Sequence, residues 1–255
     1  MTFRIDLNSD LGESFGTYVV GQDEQVLELV SSANIACGYH AGDPHIMNKT
    51  VEWAKEHHVG IGAHPGFPDL VGFGRRNMNI TPEDTYSLVL YQIGALHGFC
   101  RAHEVPLQHV KPHGALYNMA SKDPELANAI AQAVKDFNSE LILFGLANSE
   151  LIRAAQDAAL PYASEVFADR TYQPDGTLTP RVEKNAMIRD EQAAMEQVIM
   201  MVKEGTVTAV DGSIIAIEAD TVCVHGDESS ALAFIKALRK RFTEENIEME
   251  RIGNR

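Results

Sequence analysis

The amino-acid sequence predicts an α/β protein whose strands close into a (β/α) barrel of seven. Three observations lead there. Short apolar runs alternate with longer amphipathic segments along the 255 residues, the rhythm of right-handed crossovers around a parallel sheet buried on both faces. An open sheet of that kind usually carries a glycine-rich nucleotide turn after its first strand, and neither G-x-G-x-x-G nor G-x-x-x-x-G-K-S/T occurs. Ionisable residues follow the apolar runs, and a barrel gathers all its strand ends on one rim.

In chain order, strands are predicted at residues 3–7, 32–37, 59–64, 107–113, 140–146, 161–168 and 220–226, each a short apolar run bounded by turn formers. The helices between them open on side chains that accept from the free amides of a first turn, with proline next because its missing N–H loses no bond there. Asp43-Pro44 opens one at 43–58, Thr81-Pro82 one that runs to about Ala102, and Asp123-Pro124 one at 123–137. Asn148-Ser149 and Asp190 cap two more, and Gly205 ends the latter. Asp175-Gly176 and Asp211-Gly212, each between β-prone runs, predict hairpins at about 171–182 and 206–218. No linker-like stretch divides the chain, so one domain over 1–255 is expected.

With 36 acidic against 21 basic residues, the formal net charge is −15. That balance argues against nucleic acid and anionic membranes as partners, since both demand a basic face. An anionic substrate would need a local basic pocket. No apolar run reaches the roughly 18 residues of a spanning helix, and no basic-then-apolar leader opens the chain, so a soluble cytoplasmic protein is expected. Cys37, Cys100 and Cys223 form an odd set without C-x-x-C spacing, which points to reduced thiols.

Chemistry enters with DLNSDLGE, where Asp6, Asn8, Asp10 and Glu13 crowd the far end of the first strand, the apolar half coming first and the ionisable half following. A metal ion, a cation such as Lys111, or plain solvation of a loop would each neutralise them, and the residues alone leave all three open. Asn34 and His40 follow the second strand, His64 the third, Lys111 and His113 the fourth. Glu165, Asp169 and Arg170 follow the sixth, His225 and Asp227 the seventh. A lysine ending a strand must reach the mouth or lie in the core, where an unpaired ammonium is expensive, so Lys111 is expected at the mouth. Gly38 and Gly42 around His40 let backbone approach a ligand, or serve only a tight turn. Arg75-Arg76 supply the local positive charge an anionic substrate needs, or form a solvated pair. Asp227 reads also as a helix cap.

In order and spacing, DLNSDLGESFG, ANIACGYHAGDP, GAHPGFPDLVGFGRR, VKPHGALYN, EVFADR and CVHGD resemble the LamB/YcsF family, the A subunits of 5-oxoprolinases. The likeness runs from about Ile5 to His225. It implies a seven-stranded barrel akin to carbohydrate deacetylases, and a part in the ATP-dependent opening of 5-oxoproline to L-glutamate beside 5-oxoprolinase subunits B and C. ATP is then a co-substrate that activates the amide oxygen by phosphorylation. On that resemblance Lys111 and Arg170 are expected to hold a substrate carboxylate or phosphoryl oxygen, Asp10 with His64 or His113 to activate water, and His225 or His40 to protonate the departing nitrogen. Asp6, Asn8, Asn34, His40 and Glu165 join Arg170 as expected substrate contacts. The deacetylase likeness also suggests Asp10, His40 and His64 as ligands to a divalent ion. The chain would then be a metal-dependent amide hydrolase or carbohydrate deacetylase acting without ATP.

Overall fold

The computed structural model describes residues 2–224 and 231–253. Its elements begin with β1 (Phe3–Leu11), α1 (Asp23–Leu27), β2 (Ser32–Ala36), α2 (Pro44–Glu56), β3 (Gly60–His64) and α3 (Pro82–Ala102). Next come β4 (Leu107–Val110), α4 (Gly114–Ala120), α5 (Pro124–Phe137), β5 (Ile142–Leu146), α6 (Glu150–Asp157) and β6 (Tyr162–Phe167). The chain ends with α7 (Glu191–Glu204), β7 (Thr206–Thr208), β8 (Ile214–Ala216), β9 (Thr221–Cys223), α8 (Ala231–Glu244) and β10 (Ile247–Met249). Strands β1 to β6 and β9 pair in parallel and β9 returns to β1, closing the expected seven-stranded barrel. β10 adds a short parallel pairing to the start of β1, and β7 with β8 forms a separate antiparallel hairpin. Around Asp175-Gly176 the chain also doubles back, with an antiparallel bridge between Tyr172 and Leu178.

The helix starts follow their caps. Asp43, Thr81, Asp123 and Asp190 each accept from amides of the first turn of α2, α3, α5 and α7, and Gly205 ends α7 in the left-handed region at φ +64°. Ser149 precedes α6 without a side-chain cap bond, and its hydroxyl is buried with no partner among the described residues. Helices α1 and α4 and strand β10, too short to show a period, have no counterpart among the predicted elements.

The first strand departs most from expectation. It continues past Leu7 to Leu11, because β9 supplies ladder partners for Asp6 to Asn8 and β2 for Asn8 to Leu11. The polar residues are therefore not a loop beyond the strand but its inner face. Asp6, Asn8 and Asp10 alternate with Leu7, Ser9 and Leu11, period two with the polarity reversed. The outer faces are covered by helices, so each strand turns an aliphatic side chain outward: Leu7, Ile35, Ile61, Val110, Leu143, Val166 and Val222, none more than 2% exposed. Each contributes about 1.5–3 kcal/mol of burial. Asn34 and Glu165 likewise lie within β2 and β6 rather than after them. The fourth strand stops at Val110, since Pro112 has no N–H to continue the ladder.

One glycine is required by the polar interior. A Cβ on Gly62 would stand 2.0 Å from Nε2 of His109, its register partner on β4. The imidazole of His109 fills the space that Gly62 leaves and stacks on Phe144, with 4.1 Å between ring centroids.

Candidate active site

Two charged assemblies meet above the barrel interior. The first is centred on Lys111, just past β4 and only 2% exposed. Its ammonium lies 2.9 Å from Oδ1 of Asp10 and 2.7 Å from Oε1 of Glu165, and 3.2 Å from both Oδ1 of Asn8 and Sγ of Cys223. Burial works against the charge, but Asp10, Cys223 and Glu165 more than offset it and hold the lysine well above its ordinary pKa. Tyr117 donates to the other oxygen of Glu165 at 2.7 Å. Beneath, Asn34 donates to Asn8 and to Asp10 (2.7 and 2.9 Å) and accepts from Nε2 of His109 at 2.8 Å. Asp10 is thus oriented from two sides and lines the cavity above.

The second assembly is Glu13, His40, His64 and His113, whose ligand atoms all lie within 4.8 Å of one another. The chain reaches Glu13 by turning at Gly12, φ +70°. Nδ1 of His64 stands 2.7 Å from the carbonyl of Lys111, and Nε2 of His113 stands 2.9 Å from the carbonyl of Phe73. A carbonyl only accepts, so both of those nitrogens carry their protons. The opposite nitrogens, Nε2 of His64 and Nδ1 of His113, then point lone pairs at each other across 2.9 Å. Such a pair calls for a cation between them. A proton fits poorly, because burial, then the neighbouring His40 and His64, push His113 well below its ordinary pKa; burial, then His64, does the same to His40. The donor set of three imidazoles and one carboxylate, with backbone carbonyls fixing two tautomers, fits a divalent metal of the zinc type. Asp10 joins from below, its Oδ2 at 3.3 Å from Nε2 of His64.

Over both assemblies opens a cavity of about 620 Å³, lined by Asp10, His64, Lys111 and His113 at its floor and by the loops after β3 and β6 on its walls. The family model for LamB/YcsF matches residues 5–255. The chain belongs to the LamB/YcsF family. It is 60% identical to the 5-oxoprolinase A subunit of Halalkalibacterium halodurans over 251 residues, 98% of each chain. Among solved structures, the lactam utilization protein of Thermus thermophilus is 46% identical, with a TM-score of 0.91 over 97% of this chain and 99% of that one. A family 4 carbohydrate esterase from Streptomyces lividans shares the barrel at 10% identity, TM-score 0.51, over 98% and 93%. The expected kinship with deacetylase-like barrels holds at the level of fold.

Set on this LamB/YcsF barrel, the predicted residues divide. Asp10, His40, His64, Lys111 and His113 come together at the mouth. Asp6, Asn8, Asn34 and Glu165, expected to touch substrate, are fully buried beneath it and bonded to protein. Arg170 borders the cavity, but its guanidinium donates to the carbonyls of Thr179 (2.6 Å) and Ala186 (3.3 Å), binding the loop after β6 to the rim. His225 and Asp227 lie outside the described residues. Glu13, not Asp10, is the carboxylate grouped with the histidines, since Oδ1 of Asp10 is engaged by Lys111 and Asn34. Lys111 is too fully paired to be a free anion hook. Cys37, its thiol pushed up to about 12 by burial, is no nucleophile. Sequence reasoning missed His109 and Tyr117, and saw Glu13 without placing it.

Proposed function

We propose that this chain is the hydrolytic subunit of an ATP-dependent 5-oxoprolinase that opens the lactam of 5-oxo-L-proline to L-glutamate together with subunits B and C. The observation that carries the reading is Asp10: a carboxylate fixed by Lys111 and Asn34, with one edge toward the cavity and 3.3 Å from His64. So held, it can take a proton from a water directed at the lactam carbon. The proton that Asp10 takes from the water is then returned to the ring nitrogen as it leaves. Lys111 keeps Asp10 ionised and oriented. Glu13, His40, His64 and His113 would hold a divalent ion, which supplies Lewis acidity toward the amide oxygen. The name of the Halalkalibacterium relative and the lactam use of the Thermus protein support the choice of substrate. ATP enters by phosphorylating the same oxygen with release of ADP, and a partner subunit is the natural place for the nucleotide to bind because this chain carries no Walker-type loop.

A second reading, metal-dependent amide hydrolysis without ATP, is favoured by the four-residue group alone. One experiment tests both. The chain is mixed with candidate B and C subunits, metal content is measured, and glutamate release from 5-oxoproline is followed with and without ATP. Release only in the complete mixture with ATP supports the first reading. Chelator-sensitive release by the isolated chain without ATP establishes the second and overturns the first.

A further inference from the structure

Within the histidine group, Glu13 depends most on what lies around it. His64 is the last residue of β3 and His113 immediately precedes α4, whereas Glu13 follows the end of β1 in a turn flanked by Gly12 and Gly16, at φ +70° and +55°. Glycines in the left-handed region make such a turn, but they do not hold it still, and a ligand on it needs its backbone gripped. Two carboxylates from other segments grip it. Asp23, in the first turn of α1, accepts from the amide of Gly12 at 2.9 Å. Asp43 accepts from the amide of Gly16 through Oδ2 at 2.8 Å, while its Oδ1 accepts from His45 and Ile46 at the start of α2 (2.8 and 2.9 Å). Between those grips the turn closes on itself. Ser14 accepts from the amide of Val20 at 3.0 Å, and Phe15 and Tyr18 exchange backbone bonds at 2.9 Å. The carbonyl of Gly12 packs on Gly42, where a Cβ would stand 2.8 Å from it. So held, Oε1 of Glu13 reaches to 3.2 Å from Nε2 of His40 and 3.6 Å from Nδ1 of His113.

We infer that Asp23 and Asp43 are positioning residues that set Glu13 as the carboxylate ligand of the metal group. The inference rests on the reading of Glu13, His40, His64 and His113 as a divalent-ion site, and it names what holds that site's carboxylate in place. A carboxylate accepting from a backbone N–H makes a charge-assisted bond, stronger than a neutral one. Outer partners of metal ligands count for about 10–100-fold in affinity. Each aspartate also has an ordinary role: an acid in a first turn complements the helix dipole, and Asp43 caps α2. Asparagine separates the roles at both positions. At residue 43 it keeps the oxygen that caps α2 but sets an NH2 group against the amide of Gly16. At residue 23 it gives up the charge yet keeps an oxygen that can accept from Gly12.

Zinc and cobalt binding by the full chain tests this at about pH 8, where Asp23, raised to about 6 by burial, is ionised. Affinity is read by competition with a chromogenic chelator, the ligand set by the visible spectrum of bound cobalt, and folding by the melting temperature of each metal-free variant. Wild type should bind a single ion, and Glu13→Gln should weaken it and change the cobalt spectrum. Asp23→Ala and Asp43→Asn should each lose about 10–100-fold in affinity, their cobalt spectra moving toward that of Glu13→Gln, while Asp23→Asn stays near wild type. A variant that melts early but keeps the wild-type affinity and spectrum has only a structural role at that position, which overturns its assignment. Asp23→Asn falling as far as Asp23→Ala would assign the effect to charge on α1 and overturn the grip on Gly12. Unchanged affinity in Glu13→Gln, or no metal on wild type, overturns the whole inference, whatever glutamate release shows. The expected affinities in a chain whose reconstituted complex releases no glutamate would support the positioning and sink the hydrolytic reading.

Discussion

Asp6 and Asp10 are the same residue type on the same face of β1, four positions and about 13 Å apart, and the fold uses them in opposite ways. Asp6 is fully buried and accepts from Ser31 (2.6 Å), Ser32 (2.7 Å) and Thr221, three hydroxyls that staple the strand starts of β1, β2 and β9. Asp10 answers an ammonium and an imidazole and keeps an edge toward the cavity. Hydroxyls cannot change charge near neutrality; lysine, histidine and a metal can move or polarise protons. The partners, not the carboxylate, decide which layer is scaffold and which is chemistry.

The sharpest way to break that contrast is Asp10→Asn, which should cost turnover of the reconstituted complex about 10²–10⁴-fold while the melting temperature stays near wild type, because Glu165 still pairs Lys111. Next is Lys111→Met, which removes the ammonium between two carboxylates and should destabilise the chain by about 3–5 kcal/mol in urea unfolding. Adding Glu165→Gln should restore part of that loss. A loss below about 1 kcal/mol would show that Lys111 is not the cation both carboxylates depend on. Asp6→Ala inverts the first result: a stability loss of about 2–3 kcal/mol from three stranded hydroxyls, with kcat per folded molecule preserved. Reduced kcat at full folding would move Asp6 into the reactive layer.

Legibility follows the same division. Caps, the αL glycine at Gly205 and the seven apolar runs are local signals, and each was readable because its physics lies within a few residues. Convergence at the mouth was readable too, since a barrel sends every strand end to one rim. The depth of each polar residue was not. Asp6, Asn8 and Asp10 look alike in the sequence, and only the pairing of β1 with β2 and β9 shows that they form a ladder descending into the interior. Glu13 had a signal in Gly12, whose left-handed turn carries the next side chain back over the mouth. His109, within an apolar run, reads as core until Gly62 is known to be its register partner.

His109 carries the smallest and most specific prediction, because it sits between the two carboxylate layers and hydrogen-bonds Asn34 below Asp10. Burial first, then the proximity of Lys111, His64 and Arg251, lowers its pKa to about 3. An unfolded histidine takes a proton near pH 6.5. Below that pH the unfolded chain binds a proton that the folded chain refuses, so stability falls as pH drops from about 6.5 toward 3, by up to about 1.4 kcal/mol per pH unit for this one group. Above 6.5 both states are neutral and the term vanishes. His109→Gln retains an N–H for Asn34 but cannot titrate, so the slope of unfolding free energy between pH 6 and 4 should become shallower by one proton. Both chains are otherwise equal in titrating groups, and the difference isolates His109 from His40, His113 and the carboxylates. Equal slopes would mean that His109 is already protonated in the folded chain, and that a third charge, rather than a neutral spacer of Asn8, Asn34 and His109, lies between Asp6 and Asp10.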